Sequence, residues 1–142
     1  MGSRTERLLL EDIEEKTDYT GIRVDFGGGA GYHNPHDAGD LLVSKPVDGL
    51  SSVMVIEEKY KSTDANRYLQ EDGMKFDAMI EFAEAMGATP VLACRWSSNL
   101  EWSPGAEHYL TDAREVERTS AGNISVKPET ATQWKSAEEF FG

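Results

Sequence analysis

Three side chains in this sequence have the types and the spacing to hold a hard cation beside a phosphate. In Val53-Met-Val-Ile-Glu57-Glu58-Lys59-Tyr60 a strand of period two turns Glu57 and Lys59 to one face and Met54 and Ile56 to the other. A carboxylate and an ammonium then leave a largely apolar strand in the same direction. Asp40 heads a second apolar run, Leu41-Leu-Val-Ser44, where an acid has no packing reason to be. Two carboxylates and a lysine at a sheet edge can place a divalent ion against a scissile phosphodiester, with the lysine orienting water or neutralising developing charge. Without context, Glu-x-Lys on a strand is more often a solvated pair or a cross-strand ion pair.

The elements that must position this trio follow from periodicity. Ser3 to Lys16 sets Leu9, Leu10 and Ile13 at helical spacing, and Ser3 followed by Glu6 has the order of a capping box. Ile22 to Phe26 alternates as a strand, and the glycine-dense stretch Gly27 to Gly39 without periodicity is a loop. Asp40–Ser44 and Ser52–Lys59 read as a hairpin joined by a turn containing Pro46, Asp48 and Gly49. Arg67 to Met86 reads as the longest helix, with Phe76, Ile80, Ala83 and Met86 on its apolar face and Gly87 as its stop. Thr89 to Trp96 is a buried strand, so the two strands and the helix between them form a βαβ unit in a mixed sheet. Short strands around Trp102, Tyr109 and Val116 and a helix from Pro128 to Phe141 complete the reading.

The 142 residues suit one domain, and 39% hydrophobic with 28% charged residues excludes a disordered tail. No run approaches the roughly 20 apolar residues of a membrane helix, and the first residues lack a secretion signal, so a cytoplasmic protein with no membrane partner is expected. One cysteine, Cys94, excludes an internal disulfide framework and a cysteine-cluster zinc site, and its apolar neighbours predict burial. The net charge of −12 by itself disfavours a polyanionic partner. Scattered acids with only seven lysines also suit concentrated salt, as in a halophile, where a Debye length of roughly 3 Å leaves only direct phosphate contacts to matter.

Other candidates are weaker. Gly27 to Gly31 lacks the Gly-Lys-Ser/Thr ending of a phosphate-cradling loop, so no nucleotide cofactor is expected; Gly28 and Gly29 instead suit a loop that approaches DNA. His33 and His36 have no third ligand nearby, and His108 carries no signal. Trp96, Trp102 and Tyr109 are core or dimer-interface residues before they are base-stacking ones. Arg4, Arg7, Lys61, Arg67, Lys75 and Arg95 are the best available phosphate contacts.

Asp40 followed by Glu57-Glu58-Lys59 matches the D…(D/E)xK motif of the PD-(D/E)XK nuclease superfamily. The flanking sequence is similar to the archaeal Holliday-junction resolvases of the Hjc type over about Gly2 to Trp96: Gly2-Ser-Arg-Thr-Glu6-Arg7-Leu, the glycine-rich loop, Ile56-Glu-Glu-Lys59, and Ile80-Glu-Phe82 leading through Gly87 to Pro90-Val-Leu-Ala93. It departs from the pattern at Gly39, where proline is frequent, in a longer Asp40 to Glu57 connection, and in its acidity.

The resemblance implies an α/β, restriction-endonuclease-like mixed sheet flanked by helices, as a single nuclease domain over residues 1–142. It implies that Asp40, Glu57 and the backbone carbonyl of Glu58 bind Mg²⁺, with Mn²⁺ as substitute. Lys59 then serves the attacking water, and Glu6 reaches the same centre. On physical grounds alone Glu6 is a first-turn carboxylate capping its helix. The expected activity is paired incision of four-way DNA junctions by a homodimer, since two symmetric cuts call for a C₂ pair. The alternatives are a nuclease of flap, mismatch or restriction type and a non-catalytic junction-binding or DNA-mimicking protein.

Overall fold

The computed structural model describes residues 2–24, 40–45, 52–61, 68–96 and 107–142. The chain runs α1 (Gly2–Lys16), β1 (Thr20–Arg23), β2 (Leu41–Ser44), β3 (Met54–Lys61), β4 (Leu69–Glu71), α2 (Gly73–Ala85), β5 (Thr89–Trp96), β6 (Tyr109–Asp112), a 3₁₀ turn (Ala113–Glu115), β7 (Ile124–Val126), α3 (Pro128–Ala131) and α4 (Ala137–Phe141). Five strands form a sheet in the order β1-β2-β3-β5-β6, and β4 pairs with β7 in a separate two-stranded ladder. All the pairs of the large sheet are antiparallel except β3 with β5, which the α2 crossover makes parallel, as the βαβ reading requires.

Alternation along the strands sorts side chains into two cores. Ile56, Val91, Ala93, Leu41 and Val43 pack under Leu9 and Ile13 of α1 and Ala137 and Phe141 of α4. Val55, Leu92, Cys94 and Trp96 point the other way, toward Phe76, Met79 and Ala83 of α2 and Ile124 and Val126 of β7. Cys94 is fully buried, as expected, and burial pushes its thiol pKa up. Trp96 is also fully buried, in the core and not at a surface, and the partly buried Trp134 packs against the same core; Trp102 lies outside the described residues. Among the described residues no helix is long and apolar enough to cross a membrane.

Five expected boundaries move. The helix read from Arg67 begins at Gly73, because Asp72 caps it, its carboxylate accepting the N–H groups of Met74 and Lys75, and Leu69–Glu71 before it is a strand. Met79, not Met86, completes its buried face; Met86 is 42% exposed. Gly87 does stop the helix: at φ 75° it lets its own N–H reach Glu84 O and that of Ala88 reach Ala83 O. Ser3 lies inside α1 and does not precede it, which removes the capping box with Glu6. The first strand sits at Thr20–Arg23, earlier than Ile22 to Phe26. At the other end Val116 closes a 3₁₀ turn, and the helix read from Pro128 to Phe141 is two, the second started by a capping box between Ser136 and Glu139.

At one place the packing demands glycine. A Cβ on Gly73 would overlap the carbonyl oxygen of Gly122, so the start of α2 lies directly on the turn before β7, with the Gly73 N–H donated to Asn123 Oδ1 at 2.8 Å. This contact fixes β4, and with it Glu71, beside β3, the central strand of the large sheet.

Candidate active site

Asp40 is tied on both sides by backbone. Its N–H donates to Ile56 O at 2.7 Å, and its carbonyl accepts from Val24 N–H at 2.9 Å. One step beyond the register pair Leu41↔Ile56, it lies opposite Glu57. Its Oδ2 accepts the Glu58 N–H at 2.7 Å. Burial drives its pKa up to about 7, and the nearby Glu6 and Glu58 charges add to this against the Glu58 N–H and Lys59.

Glu57 and Lys59 leave the same face of β3, as strand periodicity predicts. The Lys59 ammonium lies 3.6 Å from Glu57 Oε2 and 3.1 Å from Glu71 Oε2. Burial, then the Asp40 charge and a hydrogen bond to Glu71, hold the Glu57 carboxyl well above the usual carboxylate range. Glu71 is pushed up by burial but ends below that range, because Glu57 donates to it and Lys59 faces it. The same two acids outweigh burial at Lys59 and raise its pKa.

The linkage has a definite sign. Asp40 has a folded pKa above its unfolded one, so its contribution to stability is complete below about 4 and is lost as pH rises through about 7. Asp40→Asn is therefore expected to match the melting temperature of the wild-type chain near pH 4 in chelator, and to exceed it by roughly 5 °C at pH 8. Melts at the two pH values decide this. An equal difference at both would show a well-solvated carboxyl.

The other expected residues are spread more widely. Glu6 stands near enough to Asp40 to raise its pKa, but its Oε1 meets Arg23 Nη2 at 3.4 Å. Lys61 follows Lys59 by two residues on β3, half-buried, and Lys75 in the first turn of α2 helps keep Glu71 ionised. Arg7 is exposed on α1. Arg95 is half-buried on the opposite face of the sheet, in a cleft with Leu8, Glu11 and Glu15, and so does not join the trio. Gly28, Gly29, Arg67, His33, His36 and the side chain of Arg4 lie outside the described residues.

Sequence reasoning missed three groups. Glu71 and Arg23 reach the site from strands of their own, and no local pattern marks either. The third is a buried pair behind the site: the Glu58 side chain points away from Glu57 and places Oε2 2.8 Å from His108 Nε2. Burial raises Glu58 to about 7, against the Thr5 hydroxyl and the charges of Arg95 and Lys59. Burial, then Arg95, lowers His108 to about 3. Glu58 Oε1 has no hydrogen-bond partner among the described residues.

Asp40 and Glu57 fit a hard cation. Both are oxygen donors, both are desolvated, and the Asp40 charge adds to the cost of ionising Glu57, a cost that a dication between them removes. Among the described residues no three His, Cys, Asp or Glu side chains converge as a metal-holding group, consistent with Glu6 being turned to Arg23.

The model of the family described as archaeal Holliday junction resolvase (Hjc) matches residues 1–140. Among solved structures, the fold is similar to that of Archaeoglobus fulgidus Hjc, a Holliday junction resolvase from an archaeal hyperthermophile. The TM-score is 0.73 at 21% identity, over 99% of this chain and 100% of that one. Comparison with curated proteins finds no match. The mixed sheet flanked by helices expected from the sequence is thus the fold observed.

Proposed function

The chain belongs to the archaeal Holliday junction resolvase family, and from that premise we propose that this endonuclease resolves four-way junctions by Mg²⁺-dependent hydrolysis at Asp40, Glu57 and Lys59. The observation that carries the mechanism is the convergence of two desolvated carboxylates and one ammonium on one face of the sheet, at its central strand β3 and the start of β2. Asp40 and Glu57, with the backbone carbonyl of Glu58, would hold Mg²⁺ or Mn²⁺. When bound, the ion supplies Lewis-acid polarisation of the scissile phosphate and acidifies adjacent water.

The rest falls to the chain's own groups. Lys59 is held charged at neutral pH, so it acts as a donor and a cation and not as a general base. It orients water through its N–H groups and offsets charge on the phosphoryl oxygens. Glu57 gives up the proton that it shares with Glu71 before it can act as an anionic ligand. Arg23 holds Glu6 at the margin of the site, where Glu6 raises the local negative charge. Two such sites in a homodimer would cut the two symmetric strands of one junction in the cytoplasm, with no nucleotide cofactor.

The net charge of −12 predicts a salt optimum: repulsion of DNA is long-range at low salt and screened in molar KCl. Four-way junctions, flaps and linear duplex are incubated with the protein in Mg²⁺, in Mn²⁺ and in chelator, at low and molar KCl. Paired nicks in the junction alone, absent in chelator and reduced about 100-fold or more by Lys59→Ala, are expected. Equal cutting of flaps or duplex would assign another specificity, and cutting in chelator would remove the metal.

A further inference from the structure

We infer that Glu71 is a positioning residue for junction cleavage, the anion that seats the Lys59 ammonium and keeps it there when Glu57 is engaged by the cation. The inference rests on the reading of Lys59 given above.

Of the two carboxylates that meet Lys59, Glu71 is the nearer, at 3.1 Å against 3.6 Å. Its side chain is 9% exposed. Its strand is fixed independently of β3: β4 pairs in register with β7, Leu69 is in the core, and Asp72, the next residue, caps α2. The start of α2 in turn lies on Gly122 with no room for a side chain. A lysine stem has four rotatable carbons, and one partner that is also a metal ligand cannot fix it. A second anion on a separate rigid element can. The charges agree. Asp40, Glu57 and Glu71 outnumber the one ammonium by two, the charge a single dication restores, so Glu71 stays with Lys59 and the other two acids are free for the ion.

Glu71→Ala, Glu71→Gln and Glu71→Asp are compared with wild type and Lys59→Ala by three measurements. These are the single-turnover rate on a junction in Mg²⁺, the junction Kd in Ca²⁺, and the rate at which an acylating reagent modifies Lys59 in metal-free protein, read by peptide mass spectrometry. The first two variants should cut about 10- to 100-fold more slowly, with Kd unchanged. Glu71→Asp should recover part of the rate. Acylation of Lys59 should rise several-fold in Glu71→Ala and Glu71→Gln, and Glu71→Ala added to Lys59→Ala should cost nothing more. Wild-type cutting and acylation in Glu71→Gln, which keeps the side-chain shape, would overturn the role of Glu71 while Lys59→Ala remains slow. Full additivity with Lys59→Ala would overturn it too. A fully active Lys59→Ala would instead overturn the reading of Lys59.

Discussion

Glu57→Ala should bind a four-way junction as the wild-type chain does and leave it uncut, with a single-turnover rate lower by roughly 10³-fold or more. The size follows from what the side chain does. It and Asp40 are carboxylates that face each other across β2 and β3, so its loss leaves Asp40 without its side-chain partner for the cation. Binding survives because the phosphate contacts come from other residues. The fold survives as well: Glu57 is a buried acid held well above the ordinary range, and the variant removes a group whose ionisation opposes folding. Its melting temperature in chelator at pH 8 should equal or exceed that of wild type. Cleavage by Glu57→Ala within tenfold of wild type would end the mechanism, and a collapsed melting temperature would mean that the side chain is structural.

The second large effect is on stability. His108→Leu removes the 2.8 Å partner of the buried Glu58 Oε2 and leaves the carboxyl with only the Thr5 hydroxyl, which should cost about 3 kcal/mol, a fall in melting temperature of roughly 10 °C. Adding Glu58→Leu should return most of the loss, because a buried polar pair replaced by apolar groups is close to neutral. The deficit has a pH signature. Glu58 titrates at about 7, so at acid pH it takes a proton and the unpaired group becomes cheaper to bury. His108, lowered to about 3, contributes stability to wild type that is present above its unfolded pKa and is lost as pH falls toward 3. Both trends narrow the gap between pH 7 and pH 4. Denaturant melts of the two single variants and the double variant measure the coupling, and simple additivity would show that the two side chains do not depend on each other.

What could be read in advance was whatever a strand or a helix states locally. The alternation of Val55, Glu57 and Lys59 against Ile56 and Glu58 needs only the period of a strand, and Thr89–Trp96 announces itself by continuous apolar residues. β4 was hidden because three residues have no period of their own and helical spacing runs through them; Asp72, a good cap, was the available correction. The break before α4 had a signal too, since Ser136 and Glu139 stand three apart. Glu71 had none. Its place beside Lys59 depends on β4 pairing with β7, a contact between residues about fifty positions apart. His108 met Glu58 over a separation of 50 residues, again through sheet assembly. Local chemistry was legible; chemistry assembled by topology was not.

The sealed position of Cys94 sets a condition on assembly. Its sulfur has no contact with solvent, and the sequence holds no second cysteine. Two copies therefore cannot be stapled by a sulfur bridge while folded, and glutathione finds no thiol on the surface. Any pairing of subunits is reversible, and dilution alone should be able to undo it.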